Sequence, residues 1–218
     1  MTETSTITKQ QPAPTQPGVA ISKEQLSQLP PEQFGGRIIL VQDTLNARKA
    51  MAYLNDCSIV GFDTETRPSF RKGQNHQVAL MQISTTDCCF LIRLNRLGFF
   101  SELREVLENP SITKIGLSLK DDFHCINRIS HVEPKGFIEL QQLVRDYMIT
   151  DSSLAKIYAI LFGTRISKSQ RLSNWEATEL TVPQQQYAAL DAFACLRIYH
   201  YLKSGAFNPA GSPYFHNQ

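Results

Sequence analysis

The chain has 218 residues, of which 42% are hydrophobic and 19% are charged. This composition allows one domain with a full hydrophobic core and excludes a chain that is disordered throughout. Lysine and arginine number 22 and aspartate and glutamate number 20, so the formal net charge is only +2. A protein that binds nucleic acid mainly through a large basic excess is therefore excluded, whereas an enzyme that contacts a few phosphates is not.

Five cysteines occur without any C-x-x-C pair, which argues against a zinc ribbon. Several of them lie in apolar runs, so we expect reduced core thiols and a cytoplasmic location. No apolar stretch approaches the roughly 18 residues of a membrane span. The N-terminus also lacks the apolar core of a secretory signal, so no contact with a membrane is expected.

Residues 1–36 are predicted to form a flexible tail rich in proline and glutamine. Five of the eleven prolines fall in this segment, and proline at this density prevents regular ladders. Ser22 and Gln25 have the spacing of a capping box, which predicts a short helix over about 22–29. Residues 37–204 are predicted to form one domain, followed by a C-terminal tail over 205–218.

Apolar patterns within 37–204 predict alternating strands and helices. In chain order they are a strand over 37–41, a helix over 44–55, strands over 58–65, 77–84 and 88–94, a helix over 101–108, a strand over 112–119, a helix over 120–129, a strand over 137–140, and helices over 141–148, 153–162 and 182–203. Thr181 and Gln184 form a capping box before the last helix. The fold class is therefore α/β, with a mixed sheet of five or six strands flanked by helices.

The first chemical signal is Asp63-Thr64-Glu65, at the end of an apolar strand. Side chains alternate along a strand, so Asp63 and Glu65 point to the same side, about 7 Å apart. Two acids at the end of a buried strand are costly unless they are paired, and hard divalent cations are one solution. The alternative is a strand that simply runs out into solvent.

Two further signals come from later in the chain. Asp121 and Asp122 follow a strand directly and fall near a helix N-terminus, where the helix dipole alone would also favour acids. Tyr187 and Asp191 are four residues apart and therefore share one face of the last helix. The surrounding sequence is largely apolar, so an aspartate on this face needs a partner, although a tyrosine at such spacing is also common in a core.

The order and spacing of these acids and the tyrosine resemble the DEDD superfamily of 3′→5′ exonucleases, in its tyrosine-bearing (DEDDy) branch. The segments that carry the resemblance are GFDTETRPSF (61–70), KIGLSLKDD (114–122) and SNWEATELTVPQQQYAALDAF (173–193). The resemblance covers 37–204 and is greatest for exonuclease domains of the Werner-helicase type, with ribonuclease D more distant. It implies a ribonuclease H-like fold of three layers, and it places the catalytic acid of the second segment at Asp122 rather than Asp121.

The resemblance also implies a set of catalytic groups and cofactors. The expected metal ligands are Asp63, Glu65, Asp122 and Asp191, which would hold two divalent ions, Mg²⁺ or Mn²⁺, with Asp63 bridging them. Four carboxylates and two such ions nearly cancel in charge, whereas the acids alone repel one another. The implied reaction is hydrolysis of phosphodiester bonds from the 3′ end of a nucleic acid, which releases nucleoside 5′-monophosphates by in-line displacement.

Tyr187 is expected to orient the attacking water. A tyrosine has an ordinary pKa of about 10 and is mostly neutral, so positioning is expected rather than proton abstraction. The other branch of the superfamily carries a histidine five residues before the last aspartate. This chain has Gln186 there, which cannot act as a general base and places the chain in the tyrosine branch.

Substrate contacts are expected from two basic runs, because phosphate contacts give affinity without reading sequence. The candidates are Arg67, Arg71 and Lys72 in one run and Arg165, Lys168 and Arg171 in the other. Each run can equally be a solvated surface. Trp175 is a candidate for stacking on a base, with a core tryptophan as the alternative. A single-stranded 3′ end, of DNA or RNA, is the simplest partner, because a duplex end must first open.

Three other functions are compatible with parts of this pattern. One is a nucleic-acid-binding module of the same fold without catalysis, although all four acids and the tyrosine are present. A second is a phosphatase acting on small molecules, but such an enzyme with an aspartyl nucleophile needs D-x-D where this chain has D-x-E. A third is an interaction scaffold that uses the Pro/Gln-rich tail.

Overall fold

The computed structural model describes residues 17–71 and 73–216. The strands are β1 (Gly18–Val19), β2 (Arg37–Val41), β3 (Ile59–Thr66), β4 (Val78–Ser84), β5 (Cys88–Ile92), β6 (Thr113–Gly116), β7 (Phe137–Glu139) and β8 (Phe215–His216). The helices are α1 (Lys23–Gln28), α2 (Thr44–Asn55), α3 (Leu94–Leu97), α4 (Ser101–Glu108), α5 (Leu119–Asn127), α6 (Leu140–Leu143), α7 (Leu154–Phe162) and α8 (Val182–Lys203), with 3₁₀ turns at Val144–Tyr147 and Pro209–Gly211.

Six strands form one mixed sheet in the order β2-β5-β4-β3-β6-β7. β4 is antiparallel to β3 and to β5, whereas β2 is parallel to β5 and β6 is parallel to both β3 and β7. The strands predicted over 77–84 and 88–94 form a hairpin, β4 and β5, in which the Thr85 amide donates to the Cys88 carbonyl at 2.8 Å. The predicted α/β class and the mixed sheet flanked by helices are confirmed as well.

Helices cover both faces of the sheet, and β3 contributes side chains to the hydrophobic core on each face. Val60 and Phe62 belong to the core that contains α2, α4 and α5. The alternate positions of β3 face α8, the longest helix, whose alanines belong to the second core. Gly61 permits this close packing, because a Cβ there would lie 1.9 Å from the carbonyl oxygen of Ala192.

The predicted start of α8 is confirmed by its cap. The Thr181 hydroxyl accepts from the Gln184 amide at 3.4 Å, and the Gln184 side chain accepts from the Thr181 amide at 3.0 Å. This reciprocal cap fixes where the helix begins and therefore the height of every later side chain. No helix in the described part of the chain is both long and apolar enough to cross a membrane.

The prediction that 1–36 and 205–218 are tails is wrong for the residues that the structure describes. Val19, Ile21 and Phe34 are buried in the core that α8 covers. β1 pairs antiparallel with β8, so Gly18 lies opposite His216 and the two ends of the described chain are adjacent. Apolar side chains in 17–36 pack on distant parts of the chain, which local composition does not reveal. The helix predicted from Ser22 is confirmed as α1, with both halves of its capping box formed.

One predicted helix is broken. The segment 141–148 contains the short helix α6 and then a 3₁₀ turn that ends at Met148, which has a positive φ of 59°. The Met148 carbonyl accepts from the amide of Val19 at 2.8 Å. The turn thus provides a backbone acceptor for the N-terminal segment where a continuing helix would use that carbonyl itself.

Candidate active site

Strand β3 places two acids on the face that α8 covers. Asp63 and Glu65 alternate with Phe62 and Thr64, so both carboxylates point towards α8, as the sequence predicts. Both are partly buried. Across the sheet, Asp63 pairs with Gln82 of β4, which is fully buried.

Helix α8 adds a third carboxylate to this pair. Asp191 is only 6% exposed, although it is charged in its ordinary state. One oxygen from each of Asp63, Glu65 and Asp191 lies within 4.8 Å of the other two. Two separated stretches of the sequence are therefore brought to one point.

Asp122 reaches this point from the opposite face, on the first turn of α5. Its carboxylate accepts a hydrogen bond from the Thr64 hydroxyl and does not belong to the close group of three. A hydroxyl donor offsets part of the cost of burying this acid, which explains its orientation. Asp121 is exposed, and Asp122 is partly buried. The structure thus turns Asp122, not Asp121, inwards, although only three of the four predicted ligands converge closely.

Glu139 shapes the turn that presents Asp122. Its carboxylate accepts from the amides of Ser118 at 3.0 Å and Leu119 at 2.8 Å, at the N-terminus of α5. Ser118 has a positive φ of 63°, a conformation that a serine adopts only when its surroundings hold it. Sequence reasoning missed Glu139. The signal was its position at the end of a strand parallel to β3 and β6, since such ends meet at one edge.

Burial raises the pKa of all four carboxyl groups. Desolvation holds the pKa of Asp63 well above its usual range, and its three acidic neighbours raise it further. Desolvation, followed by the charges of Asp191 and Asp122, raises the pKa of Glu65 to about 9. Desolvation also raises the pKa of Asp122 and of Asp191 to about 7. These acids therefore resist simultaneous ionisation unless positive charge is near.

The donor set fits hard divalent cations. Every converging side chain offers a carboxylate oxygen, and Mg²⁺, Mn²⁺ and Ca²⁺ prefer oxygen ligands. No cysteine or histidine joins the group of three among the described residues. The negative charge of the cluster, its burial and its oxygen ligands all favour a hard divalent cation.

Tyr187 lies one helical turn before Asp191, and the proximity of its hydroxyl lowers the pKa of that acid. Desolvation and the nearby charges of Asp191 and Glu65 raise the pKa of the tyrosine hydroxyl above its usual value. The hydroxyl is therefore neutral at physiological pH, in agreement with a positioning role.

Trp175 does not stack on a substrate base. It is 0% exposed, and its ring stacks on that of Tyr187, with centroids 6.1 Å apart and an interplanar angle of 30°. The prediction that it contacts substrate is therefore wrong, and the core alternative describes its position. Its effect on the site is indirect, because it supports one face of the tyrosine ring.

The second basic run divides into two kinds of residue. Lys168 and Arg171 are exposed, and their charges lower the pKa of Asp191 and Glu65 respectively, so both act on the acids through space. Arg165 instead donates its Nε to the Leu29 carbonyl at 2.9 Å, in a bridge between 165 and 31. Arg165 thus binds the N-terminal segment through its Nε, and we expect this structural role rather than the predicted substrate contact.

The first basic run borders a cleft of about 240 Å³. Arg67 is paired with Glu176 at 3.3 Å, and Arg71 lines the same cleft. Phe70 and Leu172, which sequence reasoning did not single out, also line it and are 82% and 60% exposed. Lys72 lies outside the described residues. A cleft that combines two arginines with two exposed apolar side chains is suited to an anionic ligand that has flat apolar parts.

The sequence matches a family model described as 3′-5′ exonuclease over residues 38–205. It is 33% identical over 155 residues to the bifunctional 3′-5′ exonuclease/ATP-dependent helicase WRN of Mus musculus, an alignment that covers 68% of this chain and 11% of that protein. It is 29% identical over 199 residues to a 3′-5′ exonuclease of Arabidopsis thaliana, covering 84% of this chain and 69% of that protein. The chain thus spans only about a tenth of the mouse relative.

The fold is also that of solved exonuclease domains. The Nibbler EXO domain of Aedes aegypti superimposes with a TM-score of 0.73 at 21% identity, covering 79% of this chain and 91% of that chain. At this identity the likeness concerns the fold. It agrees with the ribonuclease H-like architecture that the resemblance implied.

Proposed function

Because the chain belongs to the 3′-5′ exonuclease family, we propose that it hydrolyses phosphodiester bonds at the 3′ end of nucleic acid strands and releases nucleoside 5′-monophosphates. One observation carries the proposal: the oxygens of Asp63, Glu65 and Asp191 gather within 4.8 Å, with Tyr187 one turn from Asp191. The D-x-E pair and the helix pair come from separate segments of the family motif. In the fold, these two segments bring their carboxylates together at one site.

The proposed cofactors are two divalent ions, Mg²⁺ or Mn²⁺. Asp63, Glu65 and Asp191 are the proposed principal ligands, and Asp122 completes the set with Oδ2, because Oδ1 accepts from Thr64. When bound, such ions supply the positive charge and Lewis acidity that an anionic phosphodiester requires. The raised pKa values support this assignment, since buried acids that repel one another are stabilised by divalent charge.

Tyr187 is proposed to position the attacking water. Its neutral hydroxyl can donate one hydrogen bond and accept another, so it can orient a water molecule without removing its proton. Stacking on buried Trp175 fixes the ring, and the hydroxyl lies near the Asp191 carboxylate. An oriented nucleophile lowers the entropic part of the barrier to in-line attack. These features support the proposal that the chain belongs to the tyrosine branch of the superfamily.

The substrate is proposed to be a single strand that enters beside β3. The charges of Lys168 and Arg171 act on the acids, so these two side chains are the proposed contacts for phosphates near the scissile bond. The cleft bordered by Arg67 and Arg71 offers further cationic groups, and Phe70 offers an apolar face to an unpaired base. None of these contacts reads a base edge, so we propose cleavage with little sequence preference.

The test is degradation of matched DNA and RNA strands labelled at the 3′ or the 5′ end, with Mg²⁺, Mn²⁺ or EDTA. We expect 3′-labelled strands to release labelled mononucleotide at once and 5′-labelled strands to shorten stepwise, only with metal. Asp63→Ala is the inactive control for contaminating nuclease. Intact strands under every condition would support the silent binding module instead, and release of mononucleotide from the 5′ label first would contradict the proposed direction.

We also propose that the chain resides in the cytoplasm. All five cysteines are free thiols, and three of them are buried, which suits a reducing compartment. Cell fractionation of a tagged full chain tests this location, and recovery in an oxidising compartment would contradict it.

A further inference from the structure

Gln82 is a buried amide without a hydrogen-bond partner. It lies in β4 with 0% exposure, and neither its Nε2 nor its Oε1 bonds to any group in the described part of the chain. β4 lies between β5 and β3, so the backbone of Gln82 lies within the sheet. Only the side-chain amide lacks a hydrogen-bond partner within 17–71 and 73–216. Unpaired buried amides are rare and costly, and each one requires an explanation.

The position of Gln82 relates it to the site. It lies directly opposite Asp63 in the antiparallel register of β3 and β4. Directly opposite residues project from the same face of a sheet, with Cβ atoms about 5 Å apart. The amide is therefore in the layer between the sheet and α8, beside the carboxylate that the other acids surround.

The two facing groups have complementary needs. The Asp63 carboxylate is desolvated, and a hydrogen bond with the Thr64 backbone lowers its pKa in part. A carboxylate has about four acceptor sites, and a glutamine amide has two N–H donors. A carboxylate that can accept several hydrogen bonds thus lies directly opposite an amide that has no partner among the described residues.

We propose that Gln82 is a positioning residue of the active site, whose Nε2 donates to Asp63 and holds that carboxylate in its metal-binding orientation. The inference rests on the proposed function and extends it to a residue outside the family motif. Groups that hydrogen-bond to a metal ligand fix its orientation and raise its affinity for the ion. The amide is retained at a cost to the metal-free protein, as is common for groups that serve a site.

A purely structural role predicts the opposite effect on stability. If the amide held β4 to α8, an apolar replacement would weaken the metal-free fold. If it serves Asp63, replacement by a similar unbranched apolar side chain removes an unpaired polar group and leaves the metal-free fold at least as stable. Gln82→Met makes this change with little alteration of volume.

Leu80→Met is the matched control. Leu80 lies in the same strand, is 0% exposed and is directly opposite Glu65, so it repeats the substitution beside the next acid without removing an amide. The thermal midpoint of each full-length protein is measured in EDTA and in a Mn²⁺ titration without nucleic acid. The rate of release of 3′-labelled mononucleotide is then followed over the same Mn²⁺ range.

For Gln82→Met we expect a metal-free midpoint equal to or above that of the wild type, and half-maximal stabilisation and activation at about tenfold higher Mn²⁺. Leu80→Met should stay within twofold of the wild type. A Gln82→Met protein with a lowered metal-free midpoint, or with unchanged Mn²⁺ dependence, overturns the inference. Failure of the wild type itself to respond to Mn²⁺ or to degrade the strand counts against the proposed function instead.

Discussion

Replacing Asp191 by asparagine is expected to abolish hydrolysis and at the same time stabilise the metal-free protein. The carboxylate is 6% exposed, and its pKa is raised from 3.8 to about 7, mainly by desolvation. Asparagine has the same shape and keeps a side-chain oxygen near the Tyr187 hydroxyl. The substitution therefore removes a charge that folding must bury among other acids and leaves the packing of α8 intact.

The size and sign of the effect follow from the shift. A carboxyl whose pKa rises on folding stays protonated to higher pH in the folded state than in the unfolded state. Its destabilising effect is therefore absent below about pH 4, grows with pH and is complete above about pH 7. About three pKa units correspond to roughly 4 kcal/mol, and relaxation among the coupled acids reduces this to about 2–4 kcal/mol. For a chain of this length the thermal midpoint at pH 8 should rise by about 5–15 °C.

The assay is thermal and chemical unfolding in EDTA at pH 5, 6, 7 and 8, with the rate of mononucleotide release measured in Mn²⁺. The stability difference between Asp191→Asn and the wild type should be smallest at pH 5 and largest at pH 7 and above. Asp121→Asn is the control, because Asp121 is exposed on the same helix as Asp122. A variant that is no more stable at pH 8, or whose advantage does not change with pH, refutes the reasoning from self-repulsion.

Three further predictions concern residues that shape or border the site. Glu139→Ala leaves two amides of the first turn of α5 unsatisfied, so we expect a loss of about 2–3 kcal/mol in denaturant unfolding and turnover reduced more than tenfold through displacement of Asp122; unchanged turnover would contradict this. Gly61→Ala places a Cβ 1.9 Å from a carbonyl oxygen of α8, and the unfolding free energy should fall by about 3 kcal/mol, whereas an unaltered thermal midpoint would contradict the close packing. Arg171→Ala should raise KM and weaken its salt dependence, and Arg165→Ala should lower the thermal midpoint with KM unchanged; the reverse pattern would exchange their roles.

Much of the central sheet and of α8 could be predicted because their signals are local. The capping box of Thr181 and Gln184 sets the start of α8, and the alternation of β3 directs Asp63 and Glu65 to one side. The spacing of four between Tyr187 and Asp191 places both on one helical face. These features depend on neighbours in sequence, which a single chain displays directly.

The remainder depends on contacts between distant segments. The sequence around Trp175 is compatible with a buried or an exposed ring. Its burial becomes evident only from the fold, in which the ring stacks on Tyr187. The chemistry of Arg165 is that of any surface arginine until the Leu29 carbonyl is brought beside it. The burial of Val19 likewise follows from pairing with a strand almost 200 positions later, which no local pattern encodes.

The antiparallel pair of β1 and β8 has a consequence for how this unit can be combined with others. Gly18 and His216 face each other, so the chain enters and leaves the described structure at neighbouring points, about 5 Å apart. A unit with such adjoining ends can be spliced into a surface loop of a host protein without stretching either, and circular permutation needs only a short linker. Segments fused to the two ends of this unit would therefore start side by side.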